Sequence, residues 1–228
     1  MASFPLLSLR IGSVAPLGAR AAASGIAKSP VTGPLMLSKT GFVGDMQGDT
    51  RHHGGPEKAV HHYPFDHYVV WRRELGDHPL LAEPGAFGEN IATSGLTEET
   101  VAIGDVFALG TAVIEVSQGR QPCWRLNERF GRRDMAREVQ TSGRTGWYYR
   151  VLKPGIVGSG DRLILRDRRS PEWTLARLWR TFYIDPLDRV ELSGIAGLER
   201  LAEGWRTHAV RRLESNRVED WTKRLSGT

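Results

Sequence analysis

The chain's single cysteine, Cys123, sits between two arginines in Gln118-Gly119-Arg120-Gln121-Pro122-Cys123-Trp124-Arg125. A thiol acts as a nucleophile or soft-metal ligand only as thiolate, and neighbouring guanidinium groups favour that anion. Most lone cysteines are small buried hydrophobes. Local context argues for chemistry here: Pro122 fixes its own φ and biases Gln121 toward an extended conformation, which presents the thiol from a stiff turn after a strand. Reactive groups are often carried on such connections.

Five of the seven histidines fall between His52 and His67. A zinc site needs about four converging ligands, and no His-Glu-x-x-His pair is present to begin one. The ordinary expectation is that His61 and His62 alternate across a strand, one facing the core and the other solvent. His53 differs because Gly54-Gly55-Pro56 follows it, where missing side chains let backbone amides and a ligand approach closely. Lys28 ends the small, apolar stretch Ser24-Gly25-Ile26-Ala27, either as a solvated side chain or as a point charge for a phosphate or oxyanion. Asn90, in Gly88-Glu89-Asn90, and Arg144 and Arg150, near Gly143 and Gly146, are further polar candidates. The two arginines have the fork geometry that recognises phosphate.

Positioning these groups requires a core, and 228 residues suffice for one main domain with an appendage. Hydrophobic residues at 40% and charged residues at 25% match an ordinary globular chain. One cysteine excludes an intramolecular disulfide framework and multi-cysteine metal sites, which favours a reducing cytoplasm. The start lacks a basic region ahead of its short apolar stretch, and no apolar run reaches spanning length, so no membrane partner is expected. The net charge of +5 favours an anionic partner such as a phosphate-bearing cofactor. Basic and acidic residues number 19 and 17 before Arg168 and 12 and 9 from it onward, so neither part is a cationic block and nucleic acid is not expected.

Residues 1–167 read as short strands broken by glycine turns, with candidates at 7–14, 26–31, 34–39, 59–62, 101–109, 112–117, 147–151 and 162–166. Leu109-Gly110-Thr111 and Lys153-Pro154-Gly155 are turn signals. The fold class expected is α+β, mainly β: a closed or nearly closed β-barrel, which also removes exposed edges. Two helices interrupt it, one with Pro64 in its first turn and Gly76 as its stop, the other over 132–140. Residues 168–228 read as a small three-helix domain, beginning at Ser170-Pro171-Glu172 and continuing over 186–192 and 198–213. Some 60 residues bury little core alone, so this bundle should dock on the barrel.

In order along the chain, Ser24 to Lys28, Gly44-Asp45, His53-Gly54-Gly55-Pro56, His62-Tyr63-Pro64, Gly88-Glu89-Asn90, Ser117-Gln118 through Pro122-Cys123 to Leu126-Asn127, and Gly146-Trp147 resemble MOSC-domain proteins of the YiiM type. MOSC denotes the molybdenum cofactor sulfurase C-terminal domain, and this type carries a C-terminal three-helix domain. The resemblance implies a β-barrel that binds molybdenum through a pterin dithiolene, with Cys123 as the protein ligand. It further implies reduction of N-hydroxylated compounds, notably 6-N-hydroxylaminopurine, to the amine. Lys28 and His53 would relay protons or orient substrate. Arg120, Arg144 and Asn90 would bind the cofactor, the arginines at its phosphate. Thiolate suits a thiophilic metal, which agrees with the local reading of Cys123.

No Gly-x-Gly-x-x-Gly segment or phosphate loop is present, so a separate electron-donor reductase is implied. No cysteine-desulfurase segment accompanies the motif blocks, which leaves sulfur transfer without a source in this chain. The alternative function is a sulfur-carrier or cofactor-delivery module that uses Cys123 without redox turnover.

Overall fold

A computed structural model describes residues 2–49 and 53–227; His52, with Thr50 and Arg51, lies outside the described residues. The apolar and β-branched stretches pair into a large sheet of nine strands. In spatial order these are β1 (Ser3–Pro5), β14 (Arg162–Arg168), β10 (Asp105–Leu109), β11 (Ala112–Gly119), β12 (Trp147–Lys153), β8 (Val60–Pro64), β9 (Ile91–Thr93), β2 (Ser8–Ile11) and β5 (Ser29–Pro30). Among the described residues only β8 and β9 pair in parallel. A three-stranded sheet of β13 (Gly155–Val157), β6 (Leu35–Ser38) and β7 (Gly41–Phe42), and a hairpin of β3 (Ala15–Leu17) and β4 (Ala22–Ser24), complete the strands among the described residues.

Gly110 and Thr111 form the two-residue connection between β10 and β11, with Leu109 opposite Ala112. Gly110 has φ +57°, and a Cβ there would lie 2.2 Å from the Ile156 carbonyl oxygen. Only glycine fits this turn. Pro154 acts differently: the chain turns there out of the large sheet, since β13 pairs with β6 rather than with β12.

Of the closed or nearly closed barrel expected, closure is not found. No ladder joins β1 to β5, so the sheet among the described residues is not closed. Leu6 and Leu7 alone separate β1 from β2, and their amides bond the carbonyls of Asp161 at 3.0 Å and Ala92 at 2.9 Å, on opposite sides of the sheet. The sheet therefore curls until a two-residue stretch of chain bridges its sides, with no edge-to-edge pairing. Strands of two and three residues at the margins are too short to zip the gap.

Seven helices follow the chain among the described residues: α1 (Asp66–Leu75), α2 (Arg125–Phe130), α3 (Met135–Ser142), α4 (Leu175–Tyr183), α5 (Arg189–Ala196), α6 (Glu203–Ser215) and α7 (Thr222–Ser226). Pro64 is not in the first turn of α1. It ends β8 opposite Thr93, and α1 begins two residues later and stops at Gly76. Helix starts in the tail follow side-chain caps. Thr174 Oγ1 accepts the Arg177 amide at 3.2 Å, and Asp188 Oδ1 accepts the Val190 and Glu191 amides at 2.9 and 3.1 Å. These caps displace the starts expected at Ser170 and Pro186. Leu198 and Leu201 lie ahead of α6 and pack into the core instead of starting it.

The architecture is mixed α+β and mainly sheet, with a helical C-terminal part. Sheet and tail share one apolar core: Phe107, Ile114, Val116 and Tyr149 from the strands cluster with Leu178, Phe182, Ile195 and Trp205 from the helices. Fully burying side chains of this size contributes roughly 1.5–3 kcal/mol each. No helix among the described residues is long and apolar enough to cross a membrane.

Candidate active site

Five of the sequence candidates, Cys123, Lys28, His53, Asn90 and Arg120, line one cavity of about 670 Å³, its open mouth included. The walls come from the exit of the β3–β4 hairpin, the 45–49 loop, the Pro56–Lys58 turn and the Cys123 loop. Two glycines let the first two walls touch. A Cβ on Gly25 would lie 1.8 Å from the Met46 carbonyl oxygen, and one on Gly48 would lie 2.1 Å from that of Ala23. Side chains there would force the hairpin off the loop and open the cavity.

Cys123 is half-buried and faces this cavity, with His53 Nε2 at 3.4 Å from its Sγ. Burial, followed by the charges of Arg125, Lys58 and Arg120, holds the His53 imidazole down at about 4, so the ring is neutral at pH 7. The Ser117-Gln118 pair keeps this side in place. Ser117 Oγ and Gln118 Nε2 donate to the Glu57 carbonyl at 2.7 and 2.9 Å, which pins the turn that carries Lys58. Trp205 Nε1 in turn donates to Gln118 Oε1 at 3.0 Å, so the helical tail braces the cavity wall.

Arg120 is 6% exposed, and its Nη1 has no hydrogen-bond partner among the described residues. A buried guanidinium donor left unmade is costly, and an anionic ligand in the cavity would satisfy it. Beside it, Tyr148 is pushed above its usual range by burial, against the Arg120 charge that pulls it down. His61 also lines the cavity and is kept neutral by burial and by Arg120. Lys58 and Arg125 add two further cations to the lining, opposed by Asp45 and Asp49.

Asp45 organises the opposite wall. One oxygen accepts the Gly12 amide at 2.7 Å and pairs with Lys28 Nζ; the other accepts Asn90 Nδ2 at 2.9 Å and Gln47 Nε2 at 3.4 Å. Lys28 and Asp45 are 7% and 3% exposed in their side chains. Burial lowers the Lys28 ammonium below its ordinary value, with Asp45 opposing that shift. Asn90 spends its amide on the fold as well, since Oδ1 accepts the His61 amide at 3.0 Å and Nδ2 also reaches the Arg10 carbonyl at 3.1 Å.

Arg144 does not join the cavity. It pairs with Glu74 and lies 4.0 Å over the Trp71 ring, in a shallow groove between α1 and α3. Arg150 is also engaged elsewhere, by Glu57 and Glu115. His62 and His61 are both buried, so the expected alternation between core and solvent fails. The cause is that β8 has neighbours on both edges and cover on both faces, and His62 bonds Tyr149 Oη at 2.9 Å and Thr93 Oγ1 at 3.0 Å. Among the described residues no group of three or more His, Cys, Asp or Glu is placed to hold a metal ion. Lys58 and Tyr148 carry no sequence signal of a role at the site, and Asp45 carries only that of the Gly44-Asp45 motif block.

Comparison with known proteins agrees with the motif order. The MOSC domain family matches residues 49–164, and the YiiM-like, 3-alpha helix domain family matches residues 173–216. The YiiM protein of Escherichia coli (strain K12) is 41% identical over 205 residues, 90% of this chain and 91% of that protein. The crystal structure of YiiM from Escherichia coli superposes with a TM-score of 0.83 at 33% identity, covering 99% of both chains. A protein of Gibberella moniliformis named as a reductase is 43% identical over 159 residues, 69% of this chain and 28% of that longer protein. The chain belongs to the MOSC-domain family, in the YiiM-like group that carries the C-terminal 3-alpha helix domain.

Proposed function

We propose that this protein is a molybdenum-cofactor-dependent reductase of N-hydroxylated compounds such as 6-N-hydroxylaminopurine, with residues 1–167 as the cofactor domain and 168–228 as the helical domain. The observation that carries the reading is a lone thiol opening into a cation-rich cavity that also holds Arg120, whose Nη1 has no hydrogen-bond partner among the described residues. Membership of the MOSC family and the reductase name of the Gibberella relative support it. A bound molybdenum pterin would supply a two-electron centre able to take oxygen from an N–OH group.

Cys123 provides the soft thiolate ligand such a group requires. Arg120, with Lys58 and Arg125, provides the cations for its phosphate. Reduction of R–NHOH to R–NH₂ and water consumes two electrons and two protons. Lys28, held in place by Asp45, is the proton donor on one wall, and neutral His53 passes protons on the other. Tyr148 and Phe87 also line the cavity. The electrons come from a separate reductase in the cytoplasm.

Expression in a cofactor-producing host, followed by metal analysis and assay with 6-N-hydroxylaminopurine and a reduced dye as donor, tests this. Wild-type protein should carry molybdenum and form adenine. Cys123→Ala should lose more than about 100-fold in turnover while melting at the wild-type temperature. Full turnover by metal-loaded Cys123→Ala contradicts the assignment. A persulfide on Cys123 in protein that never acquires molybdenum points instead to a sulfur carrier.

A further inference from the structure

The peptide units on both sides of Cys123 are gripped by one residue from the far end of the chain. The Arg224 guanidinium donates to the Pro122 carbonyl, and the Arg224 carbonyl accepts the Trp124 amide at 2.8 Å. The same guanidinium donates to Gln140 Oε1 at 2.6 Å, and Gln140 is itself buried and accepts Trp179 Nε1 on its carbonyl at 2.6 Å. Next along α7, the Leu225 carbonyl accepts Asn127 Nδ2 at 2.8 Å, while the Leu225 side chain is buried against α2 and α3. On the outer side, Arg20 from the β3–β4 hairpin lies over the Trp124 ring at 5.1 Å and donates to the Gly227 carbonyl at 3.1 Å. Residues 222–226 lie beyond the 173–216 stretch matched by the helical-domain family.

We propose that Arg224 is a positioning residue for Cys123, so that α7 completes the site by fixing the direction in which the thiol enters the cavity. Pro122 restricts the chain before the cysteine through its ring, and Arg224 restricts it on both sides through hydrogen bonds. A ligand or nucleophile works only when held close to its productive geometry, and such groups are held by the residues around them. The inference concerns the thiol itself and stands whether or not molybdenum is its partner.

Because Cys123 is the sole cysteine, alkylation of the full chain by iodoacetamide reports on this thiol alone. Arg224→Met keeps the alkyl stem and removes the donors. It should raise the alkylation rate by roughly tenfold, because a freed loop exposes a thiol that is half-buried beside His53. Arg224→Lys, whose shorter side chain puts one ammonium in place of the two guanidinium nitrogens that hold Pro122 and Gln140, should fall between wild type and Arg224→Met. Glu191→Gln is the control, since it weakens the tail where Arg177 on α4 meets α5, away from α7 and the cysteine loop; denaturant matches its stability loss to that of the Arg224 variants. It should alkylate at the wild-type rate. An Arg224→Met rate within about twofold of wild type or below it, or an equal rise in Glu191→Gln, overturns the proposal. Should Arg224→Met not fold, an Arg224→Lys rate equal to wild type overturns it.

Discussion

Asp45 is the residue on which the non-thiol wall depends, because four donors from four parts of the chain converge on its carboxylate. Removing either charge of its pair with Lys28 has unequal consequences. Asp45→Asn leaves the Lys28 ammonium buried without its paired carboxylate, at a cost of about 3 kcal/mol, whereas Lys28→Met leaves a carboxylate still served by Gly12, Gln47 and Asn90 and should cost about half as much. Chemical denaturation of the two variants checks the order, and equal losses would show that the carboxylate is not the hub. Cys123 and Lys28 were legible in the sequence because a thiol between guanidinium groups and a lone cation in an apolar stretch stand out by type. Asp45 was not, since a Gly-Asp pair marks any turn and its partners Gly12, Lys28 and Asn90 meet it only through the fold. Arg144 had the right type and a glycine-rich setting, but no local signal showed that Trp71 and Glu74 would capture it.

Among the elements, the strands rich in β-branched and aromatic residues, β10, β11, β12 and β14, follow their sequence patterns closely, because both alternation and turn chemistry specify them. Strands of two or three residues, such as β5, β7 and β9, carry no periodicity to read. The helical tail was legible as helices, but its starts were set by Thr174 and Asp188, and the short α7 has too few residues for a pattern. Its role comes from tertiary contact with the cysteine loop. In the same tail, Arg212 is 1% exposed in its side chain and meets both oxygens of Glu219 at 2.8 and 2.9 Å. Burial raises the Glu219 carboxyl, but these bonds outweigh it and hold the group at about 2, against an ordinary 4.5. The unfolded chain therefore takes up this proton first as pH falls, so the stabilisation is complete above about 4.5 and is lost between there and about 2. Glu219→Gln should remove this part of the acid dependence and cost about 2 kcal/mol at neutral pH, less than a fully orphaned cation because the Phe182 and Pro186 carbonyls still accept from Arg212. Melting curves across that acid range check it, and an unchanged slope in the variant would contradict the pairing.

At the scale of the whole molecule, the cavity exists because the sheet curls and the tail closes behind it. Trp205 reaches from α6 to Gln118 on β11, Trp179 from α4 to Gln140 on α3, and Arg224 from α7 to the cysteine loop. The mainly-β class and the docked helical tail were readable from composition and turn spacing. Closure was not, because hydrogen bonding between the first and last strands leaves no mark in local sequence. What this architecture delivers is one thiol at the rim of a cavity whose lining carries Lys28, Lys58, Arg120 and Arg125. In the function proposed, this thiol binds molybdenum. X-ray absorption at the molybdenum edge, on protein loaded in a cofactor-producing host, reads the sulfur neighbours of the metal directly. Cys123→Ser should show one sulfur neighbour fewer than wild type, and the same number of sulfur neighbours in both proteins would contradict the account.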